Sequence, residues 1–345
     1  MAELQPLLDT LYKGNALTVE QSQQLFSAII AGEMEPIAMA GMLTALKMRG
    51  ETVAEITGAA NAMRSAAKPF PRSEASLSTG VVDIVGTGGD GFNTINISTT
   101  ATFVAAAAGA KVAKHGSRGV SSKSGASDVL SHCGIGLTMS PEQASDCVDN
   151  IGVSFLFAPH YHQGMKHAVP VRQALKTRTI FNILGPLVNP AKPEYMLLGV
   201  YSPKLLAPIV NVLQALNVKH AMVVHGSGLD EVALHGETQV AELKDGQIRF
   251  YNITPAELGV KTASIEALKG GEPSENAEIT KAILAGKGTD AQRDAVAVNA
   301  GCALYVAGLA PNAKAGTELA LKTIASGEAL NRLNQLAAAS QQAQS

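Results

Sequence analysis

A chain of 345 residues with 27 basic and 29 acidic side chains carries a formal net charge of −2, which argues against a general nucleic-acid or membrane surface. Tryptophan is absent and aromatics make up 4% of the residues, so stacking platforms for single-stranded nucleic acid are not evident. With 46% apolar residues, the chain can hold one large domain, a smaller satellite and a full core, as a soluble α/β protein would.

Met1-Ala2-Glu3-Leu4-Gln5 lacks the basic and apolar regions of a signal peptide, and no apolar run reaches transmembrane length. Cys133, Cys147 and Cys302 follow no metal-ligand spacing and read as reduced, buried thiols of a cytoplasmic protein. Leu4, Leu7, Leu8 and Leu11 recur at helical spacing, and Thr18 with Gln21 makes a capping-box start. Pro36 to Met48 and Val53 to Ala67 continue the helical pattern, and Pro69-Phe70-Pro71-Arg72 reads as a linker. Strands are then expected at Val81 to Val85, Ala110 to Lys114, Val153 to Ala158, Met196 to Tyr201 and Ala221 to His225. Their alternation with helices predicts an α/β fold: a small N-terminal helical domain, then a large α/β domain with a central, mostly parallel sheet. Val232 to His235, Thr238 to Leu243 and Ile248 to Tyr251 suggest hairpins around Lys244-Asp245-Gly246, and Ala337 to Ser345 reads as a frayed end.

Two loops carry the chemistry. The strand ending at Val85 breaks into Gly86-Thr87-Gly88-Gly89-Asp90-Gly91, before a small-residue helix from Thr99 to Gly109. Gly86, Gly88 and Gly89 allow a tight turn and close approach to a ligand, and their N–H groups, with those of the helix's first turn, predict a concave anion site. Thr94, Ser98 and Thr99 add hydroxyls, and Asp90 adds a carboxylate for a metal-bound phosphate or a sugar hydroxyl. No Gly-Lys-Ser/Thr follows, which excludes the nucleoside-triphosphate loop. A turn without a ligand would use the same glycines; the cluster from Asn96 to Thr99 favours phosphate.

The second loop, Lys114-His115-Gly116-Ser117-Arg118-Gly119-Val120-Ser121-Ser122-Lys123-Ser124-Gly125-Ala126, packs cations, glycines and serines at the C-terminal end of a strand. Ligands of open α/β sheets bind at that edge. Positive charge concentrates from Lys111 to Lys123, which suits a small anion.

Together with Arg178-Thr179-Ile180-Phe181-Asn182-Ile183-Leu184-Gly185-Pro186-Leu187 and Asp230-Glu231, these blocks resemble the anthranilate phosphoribosyltransferase family over nearly the whole chain. The resemblance implies transfer of a phosphoribosyl group from 5-phosphoribosyl 1-pyrophosphate (PRPP) to anthranilate, releasing pyrophosphate. It implies a helical domain of residues 1–70, to which roughly 163–190 returns as one wall of the cleft, and an α/β domain of 76–162 and 191–345. Pro69 to Arg72 and Val188 to Lys192 become candidate hinges.

By the same resemblance, PRPP lies on Gly86, Gly89, Asp90, Thr94, Asn96, Ile97, Ser98, Thr99 and Lys114, under the loop from His115, Gly116, Ser117, Arg118, Gly119 and Val120 to Ser121 and Ser122, with Ala126 close by. Asp230 and Glu231 bind two Mg²⁺ ions, with Ser98 as a further ligand. Without the resemblance these two acids would read equally as solvated surface groups; Mg²⁺ suits them because it takes one or two carboxylates, substrate phosphates and waters. Anthranilate falls to Gly86, Ser117 and Arg172, whose fork suits a carboxylate. His115 and His162 become candidates to orient or accept a proton from the amine. The family's usual asparagine is Ser117 here, and a commonly found serine is Ala126. A homodimer through the helical domain is implied, with small-molecule substrates and no nucleic-acid or membrane partner. Two rivals stay open: a pyrimidine nucleoside phosphorylase-like enzyme, to which Ser117-Arg118-Gly119 leans, and a non-catalytic relative that binds nucleic acid.

Overall fold

The computed structural model describes residues 3–119 and 123–342. Four helices come first: α1 (Gln5–Tyr12), α2 (Val19–Ala31), α3 (Pro36–Arg49) and α4 (Val53–Ala66). Capping boxes start two of them, Thr18 with Gln21 and Thr52 with Glu55, each cap worth about 1 kcal/mol. Glu55 also accepts the Leu17 N–H at 3.0 Å and pairs with Arg49, which joins α4 to the start of α2 and the end of α3. The expected linker Pro69 to Arg72 is irregular, but Arg72 is anchored: its Nη1 meets both oxygens of Glu194, at 2.8 and 3.0 Å. A short helix unread in the sequence, α5 (Glu74–Thr79), follows, capped by Ser73.

The α/β region runs β1 (Val82–Gly86), α6 (Ile97–Ala107), β2 (Val112–Gly116), α7 (Ala126–His132), α8 (Pro141–Asn150), β3 (Val153–Phe157), α9 (Ala158–Tyr161), α10 (Val169–Leu175), α11 (Phe181–Leu184), β4 (Tyr195–Gly199), α12 (Leu206–Ala215) and β5 (His220–Gly226). After them come β6 (Thr238–Lys244), β7 (Gln247–Ile253), α13 (Pro273–Leu284), α14 (Asp290–Val306), α15 (Ala313–Ser326) and α16 (Glu328–Gln342). The strands form one seven-stranded sheet, ordered β3-β2-β1-β4-β5-β6-β7, with β6 and β7 antiparallel at one edge and the rest parallel. Asp245 and Gly246, at φ 50° and 74°, make the two-residue β6–β7 turn, whose left-handed geometry matches strand twist.

Both faces of the sheet are buried at its central strands, so successive β4 residues enter different cores. Leu197 packs with α6 and α14, whereas Met196 and Leu198 join Phe26, Met42 and Phe181 of the helical region. The helical region therefore shares its core with one sheet face, through α4 and α12. The returning segment is a 3₁₀ turn (Gln163–His167), α10 and α11, packed on α2, α3 and α4.

Two sequence expectations fail. Val232 to His235 is no strand: Val232 exchanges hydrogen bonds with the Asn299 side chain at 3.0 Å, which takes its backbone out of any ladder. Residues 337–342 do not fray but finish α16, because Ser340 is buried and accepts the Gly136 N–H at 2.8 Å. Residues 343–345 lie outside the described residues, as do Met1 and Ala2.

Candidate active site

At the carboxyl edge of the sheet, Gly86 of β1 stands opposite Gly199 of β4. The turn after β5 lies across this pair. A Cβ on Gly86 would sit 2.2 Å from Asp230 Oδ2, and one on Gly199 would sit 1.5 Å from the Asp230 carbonyl. The two glycines thus make the seat for Asp230. From that seat Asp230 Oδ2 accepts the Gly88 N–H at 2.6 Å, and Glu231 Oε1 accepts the Ser98 N–H, in the first turn of α6, at 3.0 Å. Each acid therefore reaches one of the two backbone anion surfaces. Gly88 and Gly89 turn with φ of 69° and 79°, a region open to glycine. Gly86, Gly88 and Gly91 have the spacing of a dinucleotide-binding loop, but ten residues separate β1 from α6, so no helix opens directly on the turn.

Asp230 and Glu231 are half-buried and lack a salt-bridge partner among the described residues. Burial, and then the charge of Asp90, holds Asp230 above the usual carboxylate range; burial, and then Asp230, holds Glu231 well above it. Glu231 Oε2 is buried without a hydrogen-bond partner among the described residues. This is a place short of a cation. No three His, Cys, Asp or Glu side chains among the described residues close into a metal cage, so a cation here would need oxygens from a ligand and water, as Mg²⁺ does.

Lys114 is 3% exposed, donates from Nζ to the Ile84 carbonyl, and faces Asp83, Glu231 and Asp230. Asp83 and Asn189 went unread in the sequence. The fully buried Asp83 accepts the His115 N–H at 3.3 Å and Asn189 Nδ2 at 2.8 Å, and burial pushes its carboxyl up to about 6. The available signal was one acid within the apolar run Val81 to Val85. Lys111 leaves the expected cationic cluster: it sits before β2, and its Nζ reaches the Asp149 carbonyl at 2.5 Å.

Asn96 ties the two loops, donating to Ser124 O at 3.1 Å and accepting Ser124 Oγ at 3.2 Å and Asn276 Nδ2 at 2.8 Å. Asp128 accepts the N–H groups of Gly119 and Gly125, both at 3.1 Å, which staples the ends of the second loop. Ser117, Arg118 and Gly119 are exposed beyond Gly116, and Ala126 opens α7; Val120, Ser121 and Ser122 lie outside the described residues. Asp90 accepts the Phe92 N–H at 3.0 Å, and Thr94 bridges to Lys269. Ile97 is core, its N–H taken by Ile95 O at 2.9 Å; Thr99 is buried and Ser98 half-buried.

On the wall side, His115 Nδ1 lies 3.1 Å from Gly185 O, and its ring meets that of His162 edge-on at 5.2 Å. Burial pushes His115 down to about 3 and His162 to about 4, so both imidazoles are neutral at pH 7. Arg172 is half-buried on α10 with its guanidinium 5.4 Å from the Phe181 ring centre. No ion pair among the described residues joins it to Asp230 or Glu231.

A depressed folded-state pKa contributes stability that is present above the unfolded value, near 6.5, and is lost as pH falls toward the folded one. Asp83, Asp230 and Glu231, whose values are raised, act in the opposite sense, so the difference between variants is the useful quantity. Between pH 6.5 and 4, the stability gap between wild type and His115→Asn should narrow by about 1.4 kcal/mol per pH unit in urea unfolding. A constant gap would show that the His115 ring takes up protons in the folded chain.

Residues 78–330 match the model of the glycosyl transferase family α/β domain, and residues 5–67 that of the family's helical bundle domain. An anthranilate phosphoribosyltransferase of Shewanella denitrificans is 76% identical over 337 residues, 98% of this chain and 93% of that one. The chain belongs to the anthranilate phosphoribosyltransferase family. The anthranilate phosphoribosyltransferase structure from Thermus thermophilus superposes with a TM-score of 0.92 at 43% identity, over 97% of this chain and 99% of that one. That of Saccharomyces cerevisiae, solved with PRPP and Mg, gives 0.89 at 26% identity over 99% and 98%. The same yeast enzyme solved with 4-fluoroanthranilate gives 0.87 at 26% identity and the same coverage. The enzyme transfers the phosphoribosyl group of PRPP to anthranilate, giving N-(5-phosphoribosyl)anthranilate and pyrophosphate, in tryptophan biosynthesis.

Proposed function

We propose that the donor pyrophosphate lies between the glycine loop and the start of α6, on Gly86, Gly89, Asp90, Thr94, Asn96, Ile97, Ser98, Thr99 and Lys114, with Asp230 and Glu231 beneath it as Mg²⁺ ligands. One observation carries this reading: the two adjacent acids reach the Gly88 and Ser98 N–H groups, so carboxylates and anion-binding donors converge on one spot. The chemistry fits a cation held between acids and phosphate, and the yeast relative was solved with PRPP and Mg. Mg²⁺ is therefore the cofactor; two ions are proposed, with Ser98 as a further ligand. Bound Mg²⁺ would offset the charge of the departing pyrophosphate.

This chain's residues supply the rest. Lys114 brings a buried positive charge to the same acids. The loop His115, Gly116, Ser117, Arg118, Gly119, Val120, Ser121 and Ser122, with Ala126, covers the donor, and Asp128 and Asn96 fix its base. Gly86, Ser117 and Arg172 take anthranilate, the Arg172 fork meeting its carboxylate. The amine then attacks ribose C1 as the C1–pyrophosphate bond breaks, so placement matters more than a strong base. His115, neutral and tied to Gly185 O, orients the amine.

The helical domain comprises residues 1–70 and 163–190, and the α/β domain 76–162 and 191–345. A homodimer is supported by Met48 and Tyr12, which are 79% and 50% exposed at a groove of about 660 Å³ on α1 and α3, and by Ile37 of α3, which is 88% exposed. Among the described residues no helix is long and apolar enough to cross a membrane; a cytoplasmic enzyme is proposed.

The test follows anthranilate fluorescence with purified protein, PRPP and Mg²⁺, against an EDTA control. Decay that needs all three components is expected; no decay from folded protein would move the search to other amines and to nucleoside phosphorolysis. Ser117→Asn should preserve or lower the KM for anthranilate, because the amide restores a longer hydrogen-bonding reach. A large loss of kcat/KM in that variant would show an acceptor pocket organised differently.

A further inference from the structure

Three peptides of the glycine loop are each held by a different partner. The Thr87 N–H donates to Gly199 O at 3.0 Å, and Thr87 Oγ1 accepts the Tyr201 N–H at 3.0 Å. The Gly88 N–H goes to Asp230. The Gly89 carbonyl accepts from Arg178 Nη2. Arg178 comes from the connection between α10 and α11, on the cleft wall, and its guanidinium lies 4.0 Å from the centre of the Tyr201 ring. Tyr201, half-buried just beyond β4, gives that cation a face to rest on.

The C=O and N–H of a trans peptide point in opposite directions, and the described chain has no cis peptide bond. A Gly89 carbonyl fixed on Arg178 therefore turns the Asp90 N–H to the other side. Among the described residues no hydrogen bond takes up that N–H. Gly89, at φ 79°, has few other restraints on this peptide, so without an anchor it can rotate.

We infer that Arg178, supported by the Tyr201 ring, is a positioning residue that aims the Gly89–Asp90 peptide at the donor. The inference rests on the reading that the glycine loop holds the pyrophosphate. It also gives the wall segment two tasks six residues apart: Arg172 takes the acceptor, and Arg178 sets the donor loop. The two sites are thereby linked through one short stretch of backbone.

Steady-state kinetics on the Mg²⁺-supplemented enzyme tests this. Arg178→Met keeps the length of the side chain and removes its donors; the KM for PRPP should rise about tenfold, as for loss of one charged hydrogen bond. The KM for anthranilate and the melting temperature should stay unchanged. Arg178→Lys, which keeps a donor and a cation over the ring, should restore most of the PRPP KM. Tyr201→Leu should raise the PRPP KM in part, and the Arg178→Met/Tyr201→Leu pair should be no worse than Arg178→Met alone. An unchanged PRPP KM in Arg178→Met, or additive effects in the pair, would overturn the inference. Asp90→Asn separates the two layers. If it raises the PRPP KM while Arg178→Met does not, the positioning role falls and the donor loop stands. If neither variant moves it, both fall.

Discussion

Asp230→Asn combined with Glu231→Gln should lower kcat/KM by about three orders of magnitude, while the melting temperature holds or rises. The two effects separate because the acids burden the fold and serve the reaction. In the folded chain they are half-buried like charges with Asp90 close to Asp230, so neutral isosteres relieve repulsion and desolvation. An amide oxygen can still accept the Gly88 and Ser98 N–H groups, so the hydrogen bonds at 2.6 and 3.0 Å need not be lost. What disappears is the negative charge that attracts Mg²⁺, and with it several kcal/mol of leaving-group stabilisation, about a thousandfold in rate. Mg²⁺ titration of the rate, with melting curves in EDTA, measures both halves. Near-full activity in the double variant would remove these residues from the mechanism.

What the sequence shows and what it hides follow from chain distance and burial. The parallel strands were legible because β1, β3, β4 and β5 are short, mostly apolar runs and β2 passes straight into Lys114-His115-Gly116, and both site loops announced themselves at two of those ends. Helix α14 was not read, since almost every residue from Asp294 to Val306 is buried and no polar face marks a helical period. Val232 to His235 has a strand's composition but spends its backbone on Asn299, 67 residues away. Asp83 and Asn189 meet across 106 residues, and no local pattern announces such a pair. Arg172 has an ordinary helical context and came from family resemblance alone; the structure sets it over Phe181 without bringing it to the acids. Arg178 stood in a quoted motif, yet its contact with Gly89 is visible only in three dimensions.

Gly199 is the sharpest case, because nothing near it in the chain explains why it must be glycine. Its φ is not positive, so alanine meets no backbone strain there. The obstacle is the Asp230 carbonyl, 1.5 Å from where a Cβ would stand, and a backbone atom cannot swing aside as a side chain does. Gly199→Ala should therefore displace the Asp230-Glu231 turn, at about 1–3 kcal/mol in stability for overpacking. Moving a reacting constellation by about 1 Å costs on the order of a hundredfold in rate, so kcat/KM should fall at least that far. Gly86→Ala meets Asp230 Oδ2 at 2.2 Å, the end of a side chain that can rotate. It should lose activity as the carboxylate leaves the Gly88 N–H, with a smaller stability cost. Gly88→Ala meets nothing within 4 Å and is strained only by its φ of 69°, about 1–2 kcal/mol. Melting temperature and kcat/KM for the three variants test the ordering. If Gly199→Ala proves as stable and active as wild type, the turn carrying the acids has room to spare, and the seat made by the two paired glycines is not what places Asp230.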